Sequence, residues 1–191
     1  SLFDALQGTV DGPDRLGLER FVCAHAIMLA LEGLPAIYIH SLLGTRNDYE
    51  RMEHTGHNRS INRHKWNEAE LNAELDDPAS PHAQVLARLS ALIAIRKRQP
   101  AFHPNALQFT LQLGPQLFGF WRQATDRRQD IFVVNNISSQ PQTLNLADLN
   151  LQEEQSWQDL LAGNTLDLHD SVSLAPYQSL WISNVSIQAA V

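Results

Sequence analysis

Between Gly44 and Trp66 the chain gathers four arginines (Arg46, Arg51, Arg59, Arg63), three histidines (His54, His57, His64), the amides Asn47, Asn58 and Asn62, and Asp48. Guanidinium groups present planar forks of N–H donors, side-chain amides both donate and accept, and a carboxylate accepts. Hydroxyl-rich ligands need such a mixture, because every hydroxyl is donor and acceptor at once. A phosphate would draw on the same arginines. An irregular connection of that length inside a compact domain calls for a functional reason. Two readings fit the composition: a polar-ligand site and a solvated surface loop of mixed charge.

The remaining chemical candidates are weaker. His54, His57 and His64 are spaced by three and then seven residues in a glycine-containing loop, and His40 stands before it. A metal site needs ligands held on one face by a fixed backbone. The histidines therefore point to hydrogen bonding with a ligand or with the loop, and no metal or cofactor is expected. Asp76-Asp77 and Glu153-Glu154 are sequence neighbours in polar connections. They are read as solvated, since the acid and nucleophile of glycosyl transfer must face each other across a bond. Trp121, Trp157, Trp181 and Tyr177 fit a sandwich core better than a stacking platform. Phosphate loops, dinucleotide fingerprints and nucleophile elbows are missing from the sequence.

Elements must place the loop. From Leu16 to Glu32 apolar residues repeat as on one broad helical face, Gly33 suits a left-handed stop, and Pro35 bars resumption. The run AIYIH (Ala36 to His40) that follows reads as a short strand buried in a parallel sheet, delivering the polar loop at its end. Asn67 is placed to cap one later helix, with Glu70 at the capping-box spacing. Ser80 and Pro81 open another, from Pro81 to Arg98, with Arg96, Lys97 and Arg98 opposing the dipole at its end.

After Pro100 the apolar period drops from 3.6 to 2. LQFTLQL, LFGFWRQ, IFVVNN, TLNL, DLHDSVSL and SLWIS, separated by turn signals, predict an antiparallel sandwich of roughly seven or eight strands. Its expected core is Leu107, Phe109, Leu111, Phe118, Phe120, Ile131, Val133, Leu144, Leu146, Leu174, Leu180 and Ile182. The chain thus divides into residues 1–100 and 101–191, and the fold class is α+β.

Bulk properties exclude several classes. A chain of 191 residues, 43% hydrophobic and 18% charged, is ordinary for a globular protein. Its net charge of −7 argues against a general nucleic-acid surface, and no apolar run approaches a membrane span. The single cysteine, Cys23, is expected to be a buried small hydrophobe. Cytoplasm is the expected compartment, with no signal pattern at the N-terminus. The Asn-X-Ser triplets at Asn58, Asn136 and Asn184 are therefore taken as chance matches.

GLPAIYIHSLLGTRND resembles the eighth barrel strand and following loop of the alpha-amylase superfamily. GHNRSINRHKW is similar to the Arg-x-Ile-Asn-Arg-His loop of the sucrose phosphorylase branch. Together with SLFDALQGT and SLLGTRND it stands nearest the glucosylglycerate-phosphorylase-like members, and SLAPYQSLWIS resembles the end of the β domain behind the barrel. The resemblance implies the last helix–strand–helix part of a (β/α)8 barrel followed by an antiparallel β-sandwich, a C-terminal fragment of the parent. It implies a retaining α-glucosyl transfer in which phosphate takes the glucosyl group, giving glucose 1-phosphate. The nucleophile, the acid/base and the stabilising Asp have no counterparts here, so the fragment is expected to be inactive alone. The loop carries over: Arg63 first and Arg59 second as sugar-holding arginines, then Asn62 and Asp48. α-Glucoside and inorganic phosphate are the implied partners of the intact enzyme. A lone barrel strand would leave unpaired backbone, so Ala36 to His40 is expected to drive self-association or leave its half partly unfolded. A non-catalytic carbohydrate-binding or structural sandwich module is the alternative.

Overall fold

The computed structural model describes residues 1–149, 151–152 and 155–185. They form two compact units, one of Ser1–Val22 with Ala36–Ala91, the other of Cys23–Pro35 with the chain from Leu92 onward. The second of the two adjacent acidic pairs, Glu153-Glu154, lies outside the described residues, as does the Ser that ends the third Asn-X-Ser triplet.

In chain order the first unit holds α1 (Leu2–Ala5), the small hairpin β1 (Gly8–Thr9) and β2 (Gly12–Pro13), and the start of α2 (Gly17–Ala30). Then follow α3 (Ile39–Leu42), α4 (Tyr49–Thr55), a 3-10 turn over Asn58–Asn62, α5 (Glu68–Asp76) and most of α6 (Pro81–Arg96). The caps read from sequence form. Asn67 accepts from the N–H groups of Ala69 and Glu70 at 2.9 and 3.4 Å, and the Ser80 hydroxyl accepts from His82 N–H at 3.1 Å. Gly44 adopts φ 59°, a conformation that favours glycine, and a Cβ there would come within 3.1 Å of the Val85 side chain of α6, which would have to shift slightly.

The strand expected over Ala36 to His40 is not formed. Tyr38 is extended (φ −70°, ψ 138°), and from Ile39 the chain turns into α3. Ala36, Tyr38 and Ile39 are exposed. A ladder needs a neighbour to receive its N–H and C=O groups, and the described residues supply none at this segment.

The second unit is antiparallel. It contains β3 (Leu107–Leu111), β4 (Leu117–Gln123), β5 (Asp130–Asn136), β6 (Gln142–Asn145), β7 (Trp157–Asp159), β8 (Thr165–Leu166), β9 (Ser171–Leu174) and β10 (Ser179–Ser183). Six strands form one sheet in the order β3-β4-β5-β10-β7-β8, and β6 pairs with β9 as a second, two-stranded sheet. One core lies on the face of Phe132, Val134, Leu180 and Ile182, against Leu144, Leu146, Leu149, Trp157 and Leu174. The opposite face is buried as well. Ile131, Val133, Phe120 and Trp181 lie there, and Phe102 meets the Trp181 ring edge-on at 4.8 Å. Burial on both faces accounts for the unbroken apolar run Ile131 to Val134.

Two expected core residues are exposed, and Phe118 is only half-buried. Leu107 is 49% exposed and Phe109 46%, because β3 is an edge strand and the covering layer packs over the middle of the sheet. Among the tryptophans, Trp157 and Trp181 are buried and Trp121 is half-buried, stacked between Phe109 and Phe132. Asn136, in the second glycosylation-like triplet, is buried, and its amide donates to Gln140 O at 2.8 Å and Ala175 O at 2.9 Å. Cys23 is buried, as expected, and burial pushes its thiol up.

Arg122 is fully buried on β4 and surrounded by carbonyls. It donates to Ala30 O at 2.6 Å, His103 O at 2.9 Å, Leu107 O at 3.3 Å and Ala106 O at 3.4 Å. Arg96 donates to Leu29 O at 2.6 Å and Phe102 O at 3.1 Å. The two guanidinium groups thereby satisfy the last carbonyls of α2, where a cation also opposes the helix dipole. Burial lowers Arg122 to about 10, which leaves it charged at neutral pH.

Candidate functional site

The loop after α3 is organised around Asp48. This residue caps α4, its Oδ1 accepting from Arg51 N–H at 2.8 Å. Its Oδ2 accepts from His64 Nδ1 at 2.7 Å, and its own N–H donates to Ile61 O at 2.7 Å. A carboxylate can only accept here, so the His64 proton sits on Nδ1. The hydrogen bond from His64, followed by that from the Arg51 N–H, holds the Asp48 carboxyl below the usual carboxylate value. Both ends of the dipeptide Asn62-Arg63 are therefore tied to one residue: Ile61 on one side, His64 on the other.

The tie continues through rings. His64 meets Trp66 edge-on at 4.8 Å, and Trp66 meets His82 of α6 edge-on at 5.0 Å. Trp66 Nε1 donates to the buried Thr45 hydroxyl at 3.0 Å, and the same oxygen lies 3.2 Å from His40 Nδ1. His82 Nδ1 donates to Leu43 O at 2.7 Å. Burial first, then the neighbouring His64, hold His40 below the ordinary histidine value. These imidazoles brace the loop. Among the described residues, no group of three or more His, Cys, Asp or Glu side chains is gathered around a point that could hold a cation.

Gly56 ends α4 in the left-handed conformation (φ 66°), and the chain winds into the 3-10 turn. With about three residues per turn, Asn62 stands over Arg59. Ser60 points inward, is buried, and accepts from Thr55 Oγ1 at 2.8 Å. Arg59, Asn62 and Arg63 are left exposed. They come together in one cleft of about 440 Å³ lined by Tyr38, Asn58, Arg59, Ile61, Asn62 and Arg63. Arg59 and Arg63 also line an adjacent cleft of about 380 Å³, with Gly56, His57, Asn58 and Ser60.

Three of the four residues singled out from sequence thus share a cleft. Asp48 does not line it; its oxygens are taken up in bracing the loop. Tyr38 was missed as a site residue because AIYIH read as a buried strand. Its exposed ring faces the cleft, and its hydroxyl donates to Asn62 O at 3.3 Å.

No family model matches the chain. Over 183 residues it is 36% identical to glucosylglycerate phosphorylase of Allomeiothermus silvanus, covering 95% of this chain and 30% of that protein. It is 37% identical over 164 residues to glucosylglycerate phosphorylase of Escherichia coli strain K12, covering 85% and 28%. Sucrose phosphorylase of Agrobacterium vitis is 37% identical over 83 residues, 44% of this chain and 16% of that one. Over most of its length the chain is thus similar to glucosylglycerate phosphorylases, and over less than half of it to a sucrose phosphorylase. It spans about 30% of the length of the first relatives.

Solved structures share the fold. The protein AmyP, in an E221Q variant with maltotriose, superposes with a TM-score of 0.69 at 16% identity, over 92% of this chain and 36% of that one. The maltogenic amylase from S. marinus superposes at 0.59 and 16% identity, over 87% and 19%. In this chain the segment from Arg59 to His64 is the 3-10 turn and the strap that Asp48 secures. No helix among the described residues is long and apolar enough to cross a membrane.

Proposed function

We propose that the chain is the C-terminal portion of a retaining α-glucosyl-transferring enzyme that cleaves an α-glucoside with inorganic phosphate and yields glucose 1-phosphate. Residues 1–100 contribute the last barrel elements and the substrate loop, and residues 101–191 a stabilising β domain. Arg63 is the first sugar-holding residue, with Arg59 and Asn62 beside it, while Asp48 acts through the loop it braces. The Tyr38 ring and the arginine forks suit a sugar, which offers apolar ring faces and hydroxyl edges.

One observation carries this reading: Arg59, Asn62 and Arg63 are held in a single cleft. Among the described residues, neither guanidinium has an ion-pair partner. The unpaired segment from Ala36 to Tyr38, extended at Tyr38, supports the barrel assignment. It pairs with strands elsewhere in the parent, or with another copy when the chain is isolated.

The test uses the full-length gene product and phosphorolysis of α-glucosides. Arg63→Ala should lower kcat/KM by about 10- to 100-fold, the loss of a charge-assisted hydrogen bond, with an unchanged unfolding midpoint. The isolated chain should show no turnover. Turnover by the isolated chain, or unaltered kinetics in the variant, would refute the assignment.

A further inference from the structure

We propose that the β unit carries a binding site of its own, a cavity for a small organic ammonium ion: a compact apolar body bearing one protonated amine. The inference is independent of the sugar reading, and the cavity shares no residue with the clefts of Arg59 and Arg63. It measures about 280 Å³, and its walls are Leu111, Leu149 and the rings of Trp121, Phe132 and Trp157. Asp130 and Gln152 are its polar residues. Apolar walls with a few placed polar groups are the usual make-up of small-ligand sites, whose volumes start near ~300 Å³.

The polar atoms select the ligand. Both indole N–H groups are used within the protein, Trp121 Nε1 donating to Asp130 Oδ1 at 2.9 Å and Trp157 Nε1 to Gln152 O at 3.1 Å. The side-chain oxygen of Gln152 accepts from Gln155 Nε2 at 2.8 Å. Asp130 Oδ1 takes a second donor, Gln123 Nε2 at 3.0 Å, whereas Oδ2 accepts no hydrogen bond among the described residues. Asp130 is half-buried and has no ion-pair partner among them either; Arg128, close to it in sequence, lies against Asp126. An anion would meet a carboxylate and no cationic wall. A polyol would find one free carboxylate oxygen and one amide, too few for its hydroxyls. An ammonium needs acceptors alone, and a half-buried carboxylate without a counter-charge gains most from a cation.

The walls are fixed before a ligand arrives. Asp130 opens β5, pairs with Gln123 of β4, and its backbone N–H donates to Asn184 Oδ1 at 2.8 Å. Trp121 is stacked between Phe109 and Phe132, and Trp157 meets Phe132 edge-on at 5.5 Å. Side chains already held by strands and by one another lose little freedom on binding.

The test titrates benzylammonium, benzyl alcohol and benzoate into the full-length protein by calorimetry. The three share one ring and differ in the charge of the attached group. Benzylammonium should bind about tenfold or more tightly than benzyl alcohol, and benzoate should show no binding at millimolar concentration. Asp130→Asn, which keeps an acceptor for Trp121 and removes the charge, should bring benzylammonium down to the affinity of the alcohol. Leu111→Trp, which fills the cavity from β3 and leaves Asp130 in place, should abolish binding of both, and it decides the matter if Asp130→Asn does not fold. The inference is overturned if benzyl alcohol or benzoate binds as tightly as benzylammonium, or if benzylammonium shows no binding at millimolar concentration. Unchanged affinity for benzylammonium in either variant would overturn it as well.

Discussion

Arg122 and Arg63 bear the same side chain in opposite circumstances. Arg122, in the β unit, is enclosed and directs its N–H groups at four backbone carbonyls. Arg63, on the loop of the other unit, is exposed and has no ion-pair partner among the described residues, in a cleft without acidic lining. A guanidinium that satisfies orphan carbonyls is a structural part, and its removal leaves buried acceptors stranded. One whose donors face an open cleft adds little to folding and remains free for a ligand. The difference is one of surroundings, which residue type alone does not reveal.

The sharpest way to break this comparison is Arg122→Met. It keeps most of the volume and removes the donors, leaving the carbonyls of Ala30 and His103 without them. We expect about 2–5 kcal/mol of destabilisation in urea unfolding. A loss as small as that for Arg63→Ala would erase the distinction.

Asp48→Ala comes next, because it removes a helix cap and the His64 tie together. The expected loss is about 1–2 kcal/mol, and Asp48→Asn, which still caps, should lose less. Proton linkage gives a second readout. The folded-state value of Asp48 lies below its ordinary 3.8, so the carboxylate's contribution is present above that pH. It disappears as pH falls through the folded value. The stability gap between wild type and Asp48→Asn should therefore close as the solution is acidified below about pH 4. A gap independent of pH would mean that the charge on Asp48 does not matter to the loop.

The smallest expected effect concerns Cys23, whose burial keeps it protonated and out of reach. Labelling by a thiol reagent should proceed only through opening of the β unit and should accelerate in Arg122→Met. Equal labelling rates in both would uncouple Arg122 from the opening of that unit.

Much of the local structure was legible in sequence. Asn67 and Ser80 cap the helices they precede, Gly33 takes a positive φ of 95°, and strands follow the period-2 pattern after Pro100. Each depends on a residue's own backbone preferences or on partners a few positions away. The Arg59–Arg63 segment was legible as a polar cluster for a similar reason: its polar types lie close in sequence and one short turn gathers them. The role of Asp48 was not. Its partner His64 lies 16 residues away, and composition cannot say whether a carboxylate faces a ligand or a neighbouring loop.

What the sequence determined alone is therefore local: caps, breakers, periodicity, and one short cluster of arginine and asparagine residues. Tertiary structure decided the rest. It left Leu107 and Phe109 exposed on an edge strand while covering Ile131 to Val134 on both faces. It left Ala36 to His40 without a sheet, and it turned Arg122 inward onto carbonyls from two separate segments. Burial and strand pairing are properties of what lies opposite a residue, and only the folded chain supplies the opposite side.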